Sequence, residues 1–167
     1  MDIKKGSLQD LKNVMEIINN CIEDMTARDI NQWIAGFYPA EDIIKSDIDS
    51  GSLYVLKDKS DYLGIITINE NEPPEYQELE WLIDKGRIMV IHRLAVDPQC
   101  QHFGNGSRLM DFTESYVQKN NYDAIRLDAY SGNPGVLSFY EDRGYKKRGE
   151  VYFPRRELPF SCYEKIV

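Results

Sequence analysis

Ile91-His92-Arg93-Leu94-Ala95-Val96-Asp97-Pro98, followed by Gln101-His102-Phe103-Gly104-Asn105-Gly106, is the stretch whose reading decides the fold. Arg87–Val96 reads as a long β run that stops at Asp97-Pro98. The turn Gln101–Gly106 then opens a helix reaching about Asn121, with Leu109, Phe112, Tyr116 and Val117 as its apolar stripe. The first N–H groups of such a helix lack intrahelical partners and sit at the positive end of its dipole. A pyrophosphate fits there without basic side chains. Glycines at 104 and 106 remove Cβ atoms that would block a close approach. The glycine order is not the G-x-G-x-x-G of dinucleotide folds, and no lysine follows Gly106 as a Walker loop requires. For two glycines taken alone, a plain strand-to-helix turn is the competing reading.

Upstream, Asp2–Lys5 is a short strand candidate, and Ser7 stands three residues before Asp10 as a helix cap. Leu8, Leu11, Val14, Met15, Ile18, Ile22 and Met25 recur at helical spacing. A second short helix follows Pro39, with Ile44 and Ile48 on one face and Gly51 at its end. Leu53–Lys57 and Tyr62–Asn69 read as a hairpin about Asp58-Lys59-Ser60-Asp61, and Glu70–Glu80, with two prolines and five acids, as a loop. Downstream come a strand at Ala124–Tyr130 and a helix capped by Asn133 with Pro134 at its first position, ending near Gly144. Tyr145–Phe153 and Phe160–Val167 close the chain as strands. The order β-α-α-β-β-β-α-β-α-β-β predicts an α/β (α+β) domain over residues 1–167, with a mixed, mostly antiparallel sheet of six to seven strands flanked by about four helices.

A chain of 167 residues buries enough surface to fold without disulfides or a structural metal. Cys21, Cys100 and Cys162 are scattered with no ligand spacing, so no metal site is expected and cytosolic thiols are. The net charge of −8 argues against a nucleic-acid partner. With no apolar run of membrane length and no signal-like N-terminus, a cytoplasmic protein without a membrane partner is expected.

The glycine turn has company. After it come Asn133 opening a helix, Tyr140 seven residues on, and Gly144-Tyr145 closing that helix. From about Gly86 to Lys147 the chain resembles the GNAT superfamily of acyl-CoA-dependent N-acetyltransferases, whose CoA turn reads [Q/R]-x-x-G-x-[G/A] after a strand. The resemblance implies acetyl-CoA as co-substrate and an amine as acceptor. It gives the strand end Leu94, Ala95 and Val96 to the pantetheine arm, held by backbone groups of Leu94 and Val96. It gives the amides of His102, Phe103, Gly104, Asn105, Gly106 and Ser107 to the pyrophosphate, with Gln101 leading the turn. Asn133 would hydrogen-bond the pantetheine, and Tyr140 would lie beside the thioester sulfur and protonate the departing thiolate. Seven residues make nearly two helical turns, so these two side chains share a face about 10 Å apart. The resemblance also allows a homodimer, since members often dimerise.

Amine attack on a thioester needs the free base, and an alkylammonium with a pKa near 10.4 supplies only about one molecule in two thousand at neutral pH. A base, a water chain or a desolvating pocket must therefore help. Glu80 is the first candidate and Glu78 the second, because Trp81 and Leu79 would desolvate them; His92 and Asp128 are the others. Residues 41–84 carry 12 acids against 3 bases, while residues 143–165 carry 7 bases against 3 acids. An acidic mouth would favour a small cationic amine or a peptide amine, with Trp33, Phe37, Tyr38 and Trp81 as an aromatic wall. Alternatively the acids form a solvated face and the aromatics fill core. Two rivals to catalysis are a non-catalytic acyl-CoA-binding module of the same fold and an interaction domain using the acidic loop at 70–84.

Overall fold

Seven stretches of β-forming sequence pair into one sheet in the order β1-β2-β3-β4-β5-β7-β6 in the computed structural model, which describes residues 1–167. The strands are β1 (Asp2–Lys5), β2 (Leu53–Asp58), β3 (Asp61–Asn69), β4 (Ile88–Val96), β5 (Ala124–Tyr130), β6 (Lys146–Val151) and β7 (Phe160–Ile166). The helices are α1 (Leu11–Ala27), α2 (Glu41–Asp49), α3 (Asn105–Lys119) and α4 (Pro134–Asp142). The pairs β1–β2, β2–β3, β5–β7 and β6–β7 are antiparallel, whereas β4 and β5 run parallel from Ile88↔Ala124 to Ile91↔Leu127. The expected element order and mixed sheet are therefore present, with seven strands and four helices. No helix is long and apolar enough to cross a membrane.

The chain divides into two compact units. The first comprises Met1–Asp29, Trp33–Ile68 and His92–Thr113. Here α1 buries Val14, Ile17, Ile18, Cys21, Ile22 and Met25. Leu8, expected on that stripe, is exposed instead, because residues Leu8–Asp10 form a 3-10 turn with a different angular phase. β2 and β3 carry unbroken buried runs, as strands covered on both faces do. Their hairpin is tighter than expected: Asp58 pairs with Asp61, leaving Lys59 at φ 54 in a two-residue turn. Gly64 is needed for a different reason, since a Cβ there would stand 2.7 Å from the Ala95 carbonyl oxygen on β4.

Two polar clusters brace this unit. Arg93 of β4 and Asp47 of α2, both buried, form a two-pronged pair with Nε–Oδ2 at 2.8 Å and Nη2–Oδ1 at 2.6 Å. Thr67 donates to the same carboxylate at 3.1 Å, and the third guanidinium nitrogen donates to the Tyr38 hydroxyl at 2.8 Å. The second cluster centres on Asp10, which receives hydrogen bonds from the Ser7 hydroxyl (2.7 Å), Lys57 (2.5 Å) and Tyr62 (2.6 Å). Burial alone would push the Asp10 carboxyl up, but these bonds outweigh it and hold it well below the ordinary carboxylate range.

The second unit comprises Ile30–Gln32, Asn69–Ile91 and Glu114–Val167. β5 is flanked by β7, with Asp128 opposite Cys162 and Tyr130 opposite Phe160. The acidic stretch expected as a plain loop is strapped down and contains a 3-10 turn, Pro74–Glu78. Buried Arg126 bonds Glu72 at 2.5 Å and Glu164 at 3.1 Å, and its guanidinium lies 4.2 Å from the Trp81 ring centre. The Glu164 side chain is fully buried and also accepts from the Leu82 amide at 2.9 Å.

Truncating Asp47 to Ala leaves a buried guanidinium without its carboxylate and is expected to cost about 3–5 kcal/mol in urea unfolding; a loss below 1 kcal/mol would show the pair to be incidental. A carboxylate held below its unfolded value near 3.9 contributes stability that is complete above about pH 5 and is lost as pH falls through the lowered pKa. Asp10→Asn should therefore destabilise the protein at pH 7 and flatten its loss of stability below about pH 4. Unfolding midpoints at stepped pH measure both effects, and an unaltered acid limb would break the linkage.

Candidate functional site

In the first unit the sequence-predicted residues lie on the end of β4 and the turn into α3. Ala95 is buried, while Leu94 and Val96 are half-buried. The Val96 carbonyl accepts from the Gln101 side-chain amide at 3.1 Å and from the Cys21 thiol at 3.3 Å. Gln101 thus folds the turn back onto its own strand. Asp97 anchors the same corner: its N–H donates to Leu63 O at 3.0 Å, and its carboxylate accepts from Asn20 at 2.8 Å and from the Gln99 amide at 2.9 Å.

The turn takes two left-handed residues, His102 at φ 66 and Gly104 at φ 78. At 104 the space beyond the Cβ position is nearly open, so the backbone angle is what demands glycine. α3 begins at Asn105, one residue before the expected opening at Gly106. Asn105, Gly106 and Ser107 are therefore the first three helical residues, whose N–H groups have no intrahelical acceptor. Asn105 is buried, donates to Cys100 O at 2.9 Å and accepts from Arg108 at 3.1 Å. Arg108 also holds the Phe103 carbonyl at 3.0 Å, while the Phe103 ring stays exposed. Side chains brace the turn, and the first helical amides have no intrahelical acceptor.

In the second unit α4 carries Asn133 at its start and Tyr140 near its end. Asn133 does not cap the helix with its side chain as expected. Its backbone carbonyl accepts from Val136 N at 3.1 Å, and its side-chain amide donates instead to Gln32 Oε1 at 3.2 Å. A backbone at φ −119, ψ 77 lies outside the extended conformation that aims a cap oxygen back at the helix. Tyr140 is buried, with its ring 5.9 Å from that of Tyr145 and 6.3 Å from that of Tyr163. Burial first, and then the nearby charge of Asp128, push its hydroxyl well above the usual tyrosine value. Tyr140 is therefore a proton holder across the neutral range.

The candidate bases separate. Glu78 and Glu80 are exposed, and the side chains expected to desolvate them are engaged elsewhere. Trp81 donates to Tyr76 O at 2.9 Å and stacks 5.1 Å from the Tyr76 ring, and Leu79 packs at Gly149. His92 and Asp128 are half-buried. Asp128 accepts a hydrogen bond from the Tyr76 hydroxyl at 2.7 Å. Tyr76 is fully buried, and burial followed by the Asp128 charge pushes its hydroxyl well up. Sequence reading missed Tyr76, whose place after Pro73-Pro74 in an acid-rich stretch reads as solvent-facing loop. It missed Gln32 as well, which carries no local signal.

Three of the aromatics expected to wall the acceptor side are committed within the protein. Trp33 is buried, Trp81 covers Arg126, and Tyr38 accepts from Arg93. Several acids of 41–84 are likewise committed within the protein: Asp47 to Arg93, Glu72 to Arg126, and Glu70 to Arg87 at 2.9 Å.

Residues 18–145 match the Acetyltransferase (GNAT) family. An uncharacterized N-acetyltransferase of Bacillus subtilis, YesJ, is 27% identical over 144 residues, covering 84% of this chain and 79% of that protein. The GNAT-family acetyltransferase structure from Streptococcus agalactiae superimposes with a TM-score of 0.82 at 19% identity, covering 99% of this chain and 95% of that one. The PaiA N-acetyltransferase of Thermoplasma acidophilum, in complex with coenzyme A, gives 0.72 at 19% identity, covering 99% and 98%. A match through most of the chain, on the strand–turn–helix that carries the glycines, places this protein in the GNAT acetyltransferase family.

Proposed function

We propose that the protein transfers an acetyl group from acetyl-CoA to a primary amine by direct attack on the thioester. The observation that carries this reading is the turn at 101–107, where left-handed His102 and Gly104 lead into helix amides braced from below by Asn105 and Gln101. Such a turn accommodates a pyrophosphate through backbone donors, which a chain of net charge −8 needs. The strand end Leu94–Val96 and Asn133 take the pantetheine arm, as the family motif implies. The PaiA structure with coenzyme A supports the donor class by analogy. Free Cys21, Cys100 and Cys162 accord with a reducing, cytoplasmic setting.

In the reaction the amine nitrogen bonds to the thioester carbon, loses a proton, and the carbon–sulfur bond breaks. Tyrosine near 10 and a thiol near 8.5 already differ by about 2 kcal/mol. Burial of Tyr140 widens that gap. Tyr140 therefore acts as a hydrogen-bond donor to the developing thiolate rather than releasing its proton ahead of bond cleavage. Asp128 is the base this reading favours, because it is half-buried where Glu80 is exposed, and its charge acts on the Tyr140 hydroxyl. Glu80 is its rival. The acceptor is a small amine or a peptide amine; a non-catalytic acyl-CoA module is the second reading, favoured by binding without turnover.

Thiol release from acetyl-CoA, screened across small amines, polyamines, amino acids and peptides, tests the function and separates the two readings. Tyr140→Phe should lower kcat about 10- to 100-fold, the worth of a hydrogen bond to a charged group, with KM for acetyl-CoA within about twofold. Unchanged kcat would remove Tyr140 from the chemistry. In pH–rate profiles, Asp128→Asn is expected to abolish the acidic limb while Glu80→Gln leaves it in place. The opposite pattern would make Glu80 the base.

A further inference from the structure

Asn133 is a buried polar side chain whose amide has to satisfy two N–H donors and one carbonyl acceptor. One N–H goes to Gln32 Oε1 at 3.2 Å, across 101 residues of sequence. That bond restrains the amide and leaves the second N–H and the carbonyl for another partner. Gln32 is itself held in place. The Arg156 guanidinium donates to the Gln32 backbone carbonyl from Nε at 3.2 Å and from Nη2 at 3.0 Å, and to Pro154 O at 2.9 Å. Next to it, Asn31 Nδ2 donates to Arg155 O at 3.3 Å.

The same stretch of chain grips the approach to Asn133 from its other side. Pro159 O accepts from both the Ser131 amide at 3.0 Å and the Ser131 hydroxyl at 2.7 Å. Residues 154–159 thus hold position 131 directly and position 133 through Gln32. A residue needed only to start a helix would require neither restraint, and Asn133 does not use its side chain as a cap.

We propose that Gln32 is a positioning residue for the acyl donor: held by Arg156, it orients the Asn133 amide toward the pantetheine. This rests on the reading that Asn133 contacts the acyl donor. Without Gln32 the amide is free to rotate, and binding must then supply the ordering that the protein now supplies. The effect falls on donor affinity rather than on turnover at saturation. A carboxylate at position 32 keeps the accepting oxygen and should preserve the effect.

The test measures coenzyme A affinity by calorimetry, KM and kcat for acetyl-CoA, and thermal unfolding of the same samples. Gln32→Leu should weaken coenzyme A binding and raise KM about tenfold, with kcat within about twofold, whereas Gln32→Glu should stay within about threefold of wild type. Asn133→Ala should weaken binding similarly, and the double variant should be no weaker than Asn133→Ala alone. Wild-type protein that binds no coenzyme A would defeat the acyltransferase reading itself. Wild-type binding that Asn133→Ala weakens and Gln32→Leu spares, even with a lowered Tm, would overturn the positioning role alone. Additive losses in the double variant would overturn it too, as would Gln32→Glu binding no better than Gln32→Leu.

Discussion

A parallel strand pair cannot be closed by a hairpin, and the rest of this architecture follows from that constraint. Ile88–Ile91 and Ala124–Leu127 run in the same direction, so the chain must leave β4, cross over, and re-enter at β5. α3 is that crossover, and a crossover helix that starts directly after a strand presents unpaired amides at the strand's end. The glycine turn satisfies this topological need and, in the same atoms, leaves the first helical amides without intrahelical partners. Gln101 on the Val96 carbonyl and Asn105 on the Cys100 carbonyl keep the turn from relaxing into an ordinary loop.

Charge acts differently from what the bare sum suggests. The acid excess over residues 41–84 looks like an open anionic surface, yet Asp47, Glu70 and Glu72 each hold a guanidinium of the protein. On the basic C-terminal side, Arg143 and Lys165 both meet Glu114, and Arg148 lies 3.3 Å from Glu164. Much of the apparent polarity between the two ends of the chain is thus spent on tertiary contacts. An acceptor cation would be recognised by a smaller set of acids than composition implies, which leaves a peptide amine as well supported as a polyamine.

Element order and sheet class were legible because they depend on periodicity, which survives without tertiary information. Strand and helix limits moved by one to three residues where caps decide them, as at Leu8 and Asn105. The ordered motif Gln101, Gly104, Gly106, Asn133 and Tyr140 was legible as a resemblance to the family pattern, and only the Asn133–Tyr140 spacing follows from helical geometry. The partners of those residues were not. Gln32 reaches Asn133, and Tyr76 reaches Asp128, across separations at which sequence carries no distance signal. The base was illegible for the same reason: the desolvation assigned to Glu80 assumed that neighbours in sequence are neighbours in space, while Trp81 and Leu79 pack elsewhere.

One carboxylate, Asp128, bears on both ends of the proposed proton balance. Its charge helps hold the Tyr140 hydroxyl above its ordinary value, and it accepts a hydrogen bond from Tyr76. On the proposed chemistry Asp128 takes the proton that the attacking amine sheds. Its negative charge then disappears, and with it one of the two causes that make Tyr140 a reluctant acid. On that proposal the donor to sulfur strengthens as negative charge appears on sulfur. Tyr76 acts on the same carboxylate from the other side: its hydroxyl donates to Asp128, and burial followed by the Asp128 charge holds that hydroxyl protonated.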